Sequence, residues 1–193
     1  MKCLVVIAHP VNDSLCHYLA GQTIDHLQGK GYDTNVVDLY RLAFQPALTS
    51  QERQSYYGGA FDNRLVEEQI SLLIEAESLV LVFPTWWFGF PAILKGWVDR
   101  VWAPGYAFDH EQSLGAIKPR LANLKEVNVV TTLGSPWWID TFVLWKPVKR
   151  ILRLALLGAC APRCRFKYLC LYKSENASRQ TVERFVSKIK GRF

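Results

Sequence analysis

The 193-residue sequence predicts an α/β protein in which helices cover both faces of a five-stranded parallel sheet. Short apolar runs alternate with segments of helical periodicity, an alternation typical of parallel sheets with right-handed crossovers. Half of the residues are apolar, which is enough for one substantial core, so we expect a single domain over residues 1–193. The predicted strands are Lys2–Ala8, Thr34–Leu39, Leu79–Phe83, Glu126–Thr132 and Arg165–Tyr172.

The predicted helices carry apolar residues at intervals of three and four. They span Ser14–Leu27, Arg64–Glu77, Pro91–Trp102, Phe142–Leu157 and Ala177–Lys190. In the third of them, Lys95 and Asp99 form an i,i+4 pair on the face opposite the apolar one. The connection Tyr40–Asn63 is long for a compact domain, and both a functional lid and a variable surface insertion explain it.

Cysteine usage argues against disulfides and structural metals. The five cysteines form no CxxC pair and have no histidine at zinc-finger spacing, so we expect no metal site and a reducing compartment. No apolar run reaches the length of a signal-peptide core or a membrane span, which predicts a cytoplasmic protein. Cys16 lies near a helix N-terminus, where a reactive thiol of lowered pKa and a buried inert thiol are the alternatives.

Positive charge is concentrated near the C-terminus. The segment from Lys146 onward carries 13 of the 23 Lys and Arg residues but only two of the 17 acidic ones. The predicted helix Phe142–Leu157 has a basic stripe, which is either a solvated face or a surface for an anion, a membrane or an acidic partner. No DNA- or RNA-binding motif accompanies this charge, so nucleic acid is not expected as a partner. The basic stripe is Lys146, Lys149, Arg150 and Arg153, opposite Phe142, Trp145, Val148 and Leu152.

Three polar or aromatic loops follow predicted strands, at His9–Leu15, Pro84–Gly89 and Thr131–Gly134. In the strand order 2-1-3-4-5 these loops meet at one edge of the sheet and form a composite pocket. The first loop leads into a helix whose N-terminus favours an anion, although simple capping by Asn12, Asp13 or Ser14 explains the same residues. The aromatic second loop indicates a flat ligand.

Other nucleotide-binding and catalytic signatures are missing from the sequence. There is no GxGxxG after the first strand, no GxxxxGK[ST] and no GxSxG, which argues against a Rossmann dinucleotide fold, a P-loop ATPase and an α/β-hydrolase. Trp86-Trp87 and Trp137-Trp138 are adjacent pairs that cannot both point into one core, so some of these rings face a ligand or a partner.

The segment after the third strand resembles the flavin-binding signature of the NAD(P)H:quinone oxidoreductase family, which has a flavodoxin-like fold. The matching residues are Pro84-x-x-Trp87-Phe88-Gly89-x-Pro91-Ala92-Ile93-Leu94-Lys95-Gly96-Trp97-x-x-Arg100-Val101. The resemblance extends over nearly the whole chain through His9-x-x-x-x-Ser14 and Asp38-Leu39-Tyr40. It implies a flavin cofactor and NAD(P)H as electron donor.

The resemblance also assigns cofactor-binding residues. The phosphate-binding positions are His9, Ser14 and Leu15, with Cys16 beside them, and the residues along the flavin ring are Pro84, Thr85, Trp86, Trp87, Phe88 and Gly89. Thr131, Thr132 and Gly134 resemble a Thr-Thr-Gly-Gly loop that binds the ring edge, with Leu133 replacing the first glycine. Arg179 resembles an adenosine contact, which favours FAD over FMN.

The substrate pocket is assigned to Trp137, Trp138 and Tyr106, the last of them in the turn-rich loop Ala103–His110. Larger family members have a Tyr and a His after the ring-edge loop for proton handling. Here Trp137-Trp138-Ile139-Asp140 stands in their place, so no catalytic side chain is identified and the hydride chemistry is left to the flavin.

The function implied by the resemblance is the two-electron, ping-pong reduction of quinones, or of nitro or azo compounds, by a homodimer with active sites at its interface. The same family includes modulator-of-drug-activity-type reductases and ancillary proteins of potassium efflux systems. The alternative is therefore a flavin-binding regulatory subunit that docks on a membrane protein through the basic helix Phe142–Leu157.

Overall fold

A computed structural model describes residues 1–58, 60–109 and 117–193. Its strands are β1 (Lys2–Ile7), β2 (Asp33–Asp38), β3 (Ser78–Pro84), β4 (Phe108–Asp109), β5 (Lys118–Pro119), β6 (Glu126–Leu133) and β7 (Arg165–Tyr172). Five of them form a parallel sheet in the order β2-β1-β3-β6-β7, which confirms the predicted 2-1-3-4-5 order. The short strands β4 and β5 pair separately as an antiparallel hairpin.

Helices connect these strands. They are α1 (Leu15–Gly29), α2 (Ser50–Ser55), α3 (Glu67–Glu75), α4 (Ala92–Val101), α5 (Pro147–Arg150), α6 (Leu157–Cys160) and α7 (Arg179–Lys190). Two π-helical segments, Ile139–Val143 and Ile151–Leu156, and a 3₁₀ turn, Ser174–Asn176, complete the chain. Within the described residues, no helix is both long enough and apolar enough to cross a membrane.

The central sheet is buried on both faces. Every residue of β3 and β6 is buried, which explains why these strands are continuous apolar runs in the sequence. Alternate residues enter different cores: Leu79 and Leu81 pack with α3 and α4, whereas Val80 and Val82 pack with α1 and α7. The carboxyl ends of the strands are therefore held rigidly from both sides.

The predicted helix Phe142–Leu157 is wrong in its first third. Trp145 and Lys146 have φ angles of 57° and 51°, so the chain leaves the helical conformation before α5 begins at Pro147. Proline disfavours the helical conformation of the residue before it and is favoured in the first turn of a helix. Val148 and Leu152 are buried, as the predicted apolar stripe requires, but Phe142 and Trp145 are each 66% exposed.

The long connection after β2 packs against α4 rather than standing free. Pro46 lies directly against Gly96, where an added Cβ would be 2.2 Å from the Pro46 carbonyl oxygen. Glu52, in α2, pairs with Arg100 at 2.6 Å, and both side chains are almost fully buried. These two contacts fix the position of α4. Gly59, in the same connection, lies outside the described residues.

Candidate active site

A cavity of about 610 Å³ lies at the carboxyl ends of β3 and β6. Its volume is in the range of small-molecule sites. The described residues that line it are Thr85, Trp86, Trp87, Phe88, Leu133, Gly134, Ser135 and Glu175. The structure therefore brings the second and third predicted loops together, at the edge of the sheet where ligands of such folds bind.

Three threonines join these loops below the cavity. The backbone N–H of Thr85 donates to the Thr132 carbonyl oxygen at 2.7 Å. The Thr131 hydroxyl donates to the Phe83 carbonyl oxygen at 2.7 Å, so its oxygen accepts from the Thr85 hydroxyl at 2.9 Å. Because Thr131 is fully buried and its hydroxyl is used inside the sheet, its side chain positions the loop.

The aromatic loop is a tight turn in a strained conformation. Trp86 and Gly89 exchange two backbone hydrogen bonds, at 3.2 and 2.9 Å, around Trp87 and Phe88. Trp87 and Phe88 have φ angles of 50° and 56°, the left-handed region that costs a side-chain-bearing residue about 1–2 kcal/mol. The Trp87 side chain is 100% exposed, so its packing within the chain does not offset this strain.

We expect Trp87→Gly to raise the free energy of unfolding by about 1 kcal/mol, because glycine adopts this conformation without steric cost. Trp87→Ala keeps a Cβ and should give no such gain. Urea denaturation of both variants and the wild type measures the difference, and an equal gain from alanine would show that strain at this position is not the cause. Both variants should bind a flat ligand more weakly than the wild type.

The N-terminus of α1 lies next to the aromatic turn. Ser14 caps the helix and accepts the His17 N–H at 3.3 Å, while the N–H groups of the first helical turn have no acceptor within the helix. The His9 ring lies against the Trp86 ring, with centroids 6.3 Å apart. All three predicted loops therefore meet, and an anionic group at α1 and a flat group at the turn are compatible with one ligand.

The His9 ring is anchored on the Val11 backbone. Its Nδ1 lies 3.0 Å from the Val11 nitrogen and 3.2 Å from the Val11 carbonyl oxygen, so it accepts or donates according to the tautomer. Desolvation is the largest cause that lowers the pKa of His9 below its ordinary value, and the nearby His17 lowers it further. Burial therefore favours the neutral form of His9.

The structure favours the inert alternative for Cys16. Its side chain is buried, and burial raises the pKa of the thiol to about 12. The other thiols are similar: burial raises the pKa of Cys3 to about 11 and those of Cys160 and Cys170 to about 12, and it also raises the pKa of Cys164.

We therefore expect none of the five free cysteines to react with iodoacetamide in the native protein at about pH 8, where their thiolate fractions are very small. Mass spectrometry after a short incubation measures the modification. The same protein in urea should react at all five positions, and rapid labelling of Cys16 in the native state would restore the reactive alternative.

Five of the predicted site residues line the cavity, and among the described residues the other twelve do not. The five are Thr85, Trp86, Trp87, Phe88 and Gly134, and the twelve include Trp137, Trp138, Tyr106 and Arg179. Trp137 and Trp138 are about half exposed, and Tyr106 packs against the main core. Arg179 is 93% exposed in its side chain and pairs with Glu183 at 2.9 Å. The structure therefore gives no support to the preference for FAD. His110, the last residue of the loop that contains Tyr106, lies outside the described residues.

Ser135 and Glu175 also line the cavity, and they are not among the residues predicted from the sequence. Glu175 follows β7, and its Oε1 lies 2.9 Å from the position that a Cβ on Gly134 would occupy. The Lys173 N–H donates to the Ser135 carbonyl oxygen at 3.3 Å and ties this turn to the loop after β6. The available signal was the position of Glu175 just beyond the carboxyl end of the fifth predicted strand.

The cavity wall also offers backbone donors. Among the described residues, the N–H groups of Trp87, Phe88, Gly134 and Ser135 have no hydrogen-bond acceptor in the protein. Such groups favour a ligand with acceptor atoms along one edge. No group of three or more His, Cys, Asp or Glu side chains in the described part of the chain is placed to hold a metal ion.

Comparisons with known proteins agree with the fold. The model of a family described by its flavodoxin-like fold matches residues 1–157. The chain is 36% identical over 122 residues to YcaK, an uncharacterized NAD(P)H oxidoreductase of Escherichia coli (strain K12), covering 62% of this chain and 61% of that protein. It is 30% identical over 151 residues to NAD(P)H dehydrogenase [quinone] 1 of Cavia porcellus, covering 69% of this chain and 54% of that protein.

Among solved structures, Smu.1420 from Streptococcus mutans UA159 superposes with a TM-score of 0.84 at 27% identity, covering 99% of this chain and 97% of that one. The likeness between the two structures therefore extends over nearly the full length of both chains. By contrast, the two curated relatives are matched over less than two thirds of their own length.

Proposed function

The chain belongs to the family of proteins with the flavodoxin-like fold, and on that premise we propose that it is a flavin-dependent NAD(P)H:quinone oxidoreductase. The observation that carries the proposal is the strained aromatic turn Trp86–Gly89, which faces the loop after β6 across one cavity and lies beside the N-terminus of α1. We further propose that residues 1–193 act as one flavin-binding domain.

The cavity residues fit a flavin. The exposed rings of Trp86 and Trp87 offer flat apolar surface for stacking, and the unpaired N–H groups of the two loops match carbonyl oxygens at a ring edge. A terminal phosphate suits the N-terminus of α1, where the Ser14 hydroxyl and the His9 ring lie beside the free N–H groups of the first turn. A flavin bound there would supply hydride acceptance from NAD(P)H and two-electron delivery to the acceptor.

The protein's own contribution to the chemistry is electrostatic. Preorganised N–H groups at Gly134 and Ser135 stabilise negative charge that develops at a ring edge. Asp140, the last residue of the segment that stands where the resemblance places the family's Tyr and His, is buried and accepts the Tyr172 hydroxyl at 2.8 Å. This contact ties β7 to the π-helical segment, and Asp140 does not line the cavity within the described residues.

The acceptor class we propose is a quinone, with nitro and azo compounds as further acceptors. Two features support a flat second substrate: the name of the guinea-pig relative, and the full exposure of Trp87 at the mouth of the cavity. Five cysteines without disulfides also fit a cytosolic location, which we propose on that ground.

The deciding experiment is anaerobic spectroscopy of the purified protein reconstituted with FMN or FAD. The flavin absorbance should bleach when NADH or NADPH is added and recover when a benzoquinone follows. Trp87→Ala should weaken flavin binding, and Leu65→Ala, which truncates an exposed apolar side chain outside the cavity and the apolar patch, should leave the binding unchanged. Failure of the wild type to bind either flavin would refute the flavoprotein assignment, and bound flavin that does not bleach would refute the reductase.

The identity of the flavin is a separate question. The expectation of FAD depends on Arg179, and its exposed ion pair with Glu183 provides no independent reason for an adenosine site. Acid release of the bound cofactor followed by chromatography decides between FAD and FMN. If FAD is found, Arg179→Ala should raise its dissociation constant and leave that of FMN unchanged.

We propose a homodimer whose interface borders the active site. An exposed apolar patch follows the loop after β6, and the ring contact between Trp137 and Phe142, at 5.5 Å, joins that patch to the loop. Patches of this kind mark protein interfaces. Its members are Phe142, Val143, Leu144, Trp145, Ile151 and Leu154.

Phe142→Glu is expected to convert the dimer to a monomer, because it would place a charge in the centre of the apolar patch. Light scattering after size-exclusion chromatography measures the mass. Leu65→Glu places the same charge on an exposed apolar residue outside this patch and should leave the dimer intact. A dimer that survives Phe142→Glu would contradict this interface. The regulatory alternative, with a membrane partner at Phe142–Leu157, has no observation in its favour, since that segment is not one helix.

A further inference from the structure

His17 occupies the third position of α1, directly beneath the anion-favouring loop. Its side chain is 11% exposed, and both ring nitrogens contact acceptors. Nε2 lies 2.9 Å from Oδ2 of Asp38, and Nδ1 lies 2.9 Å from the Val11 carbonyl oxygen. A carbonyl oxygen only accepts, so the contact with Val11 requires a proton on Nδ1.

The contact with Asp38 requires a second proton, on Nε2. Asp38 is 9% exposed in its side chain and receives the backbone N–H groups of Tyr40 and Arg41 on Oδ1, each at 3.2 Å. The Arg41 Nε lies 3.2 Å from Oδ2. These donors stabilise the carboxylate form, which can only accept. An imidazole ring with N–H donors on both sides is an imidazolium.

The protonation state of His17 decides what the Ser14 hydroxyl does. Ser14 Oγ lies 3.0 Å from His17 Nδ1 and already accepts the backbone N–H of His17. With Nδ1 unprotonated, the Ser14 hydroxyl would donate its single proton to the ring. With Nδ1 protonated and directed at the Val11 carbonyl oxygen, the Ser14 proton is free for a ligand.

We propose that His17 is a positioning residue of the anion site: as an imidazolium bridging Val11 and Asp38, it releases the Ser14 hydroxyl proton for the phosphate of the bound flavin. This inference rests on the proposed flavoprotein function. His17 does not touch the ligand in this scheme, and it acts through Ser14 and through the carbonyl group that shapes the loop.

The charges around His17 are consistent with this role. A cation in the first turn of a helix lies at the unfavourable end of the dipole, so it needs a nearby anion. Asp38 supplies one from the end of β2, and a phosphate supplies a second. Arg41 also donates to the Asn12 side chain at 3.2 Å, which ties the same carboxylate network to the loop. The ring centroid of His9, the other histidine of this site, lies 6.1 Å from that of His17. Asp13, the acidic residue of the same loop, is exposed to solvent.

The test uses FMN and riboflavin, which share the ring system and differ in the phosphate. Dissociation constants are measured by flavin fluorescence between about pH 5.5 and pH 8.5 for the wild type, His17→Gln and Asp38→Asn. The phosphate monoester itself titrates near pH 6, and the His17→Gln curve provides the correction for that. His26→Gln, near the other end of α1, is the matched control.

We expect His17→Gln and Asp38→Asn to weaken FMN binding about tenfold at low pH, the effect of losing one charge-assisted hydrogen bond, and to leave riboflavin binding unchanged. In ¹⁵N-histidine NMR spectra, both nitrogens of His17 should carry protons at low pH, and His17→Gln identifies the signal. His26→Gln should behave as the wild type.

Equal loss of FMN and riboflavin in His17→Gln would overturn the proposal in favour of a purely structural role. A neutral His17 at all pH values, or FMN binding by His17→Gln equal to that of the wild type, would overturn it as well. If the wild type binds neither flavin, the proposed function fails, and the NMR measurement still decides separately whether His17 is an imidazolium.

Discussion

Arg100→Met is expected to lower the free energy of unfolding by about 3–5 kcal/mol, because it leaves the Glu52 carboxylate buried without its partner. Arg100 Nε lies 2.9 and 3.1 Å from the two carboxylate oxygens, and Nη2 lies 2.6 Å from Oε1. Nη1 also donates to the Gln45 carbonyl oxygen. The guanidinium therefore holds both α2 and the chain before it against α4.

The control is an ion pair on the same helix. Lys95 and Asp99 lie 2.5 Å apart, but their side chains are 56% and 44% exposed. Lys95→Met should cost less than about 1 kcal/mol, because water solvates both charges when the pair is broken. Urea denaturation of the two variants compares a buried and an exposed pair of similar geometry. Equal effects would contradict the claim that burial, and not distance, sets the cost.

A second variant separates lost charge from lost packing. Glu52→Gln keeps an acceptor for the Thr49 N–H, which the Glu52 carboxylate accepts at 2.7 Å in the capping box of α2. The double variant Glu52→Gln/Arg100→Met should be more stable than the sum of the single effects predicts, because no buried charge is left unpaired. Since α4 carries the aromatic turn at its N-terminus, Arg100→Met should also weaken ligand binding.

This pair illustrates what the sequence can predict. The Lys95–Asp99 pair follows from spacing within one helix, and the structure confirms it. Arg100 pairs with a residue 48 positions away, in a segment that the sequence marks only as a long polar connection. The sheet order is likewise accessible, since buried parallel strands appear as apolar runs, whereas contacts between distant segments have no local signal.

The residues of the candidate site also divide into those with a local sequence signal and those placed by contacts between distant segments. The loops after β1, β3 and β6 were predicted, because each directly follows a recognisable strand. Glu175 was missed because the 3₁₀ turn after β7 bends back to the loop after β6, and only the tertiary structure shows this. The error at Phe142–Leu157 has a local cause: the apolar spacing continues across Pro147, but the backbone does not.

Gly96→Ala is expected to destabilise the protein by about 3 kcal/mol, through overpacking against a segment that cannot move away. A Cβ at this position would lie 2.2 Å from the Pro46 carbonyl oxygen and 2.4 Å from its Cα and Cβ. Relief would require the chain at Pro46 to move away from α4, and the Arg100 contacts with Gln45 and Glu52 oppose that movement.

The matched control is Gly21→Ala in α1, where nothing lies within 4 Å of the added Cβ. There alanine should stabilise the protein by about 0.5–1 kcal/mol, since it loses less backbone entropy in a helix than glycine does. The intrinsic helical gain is the same at both positions, so the difference between the two variants, about 4 kcal/mol, measures the close contact with Pro46. If Gly96→Ala were as stable as Gly21→Ala, Pro46 would not be seated on α4, and the rigid placement of the aromatic turn would need another cause.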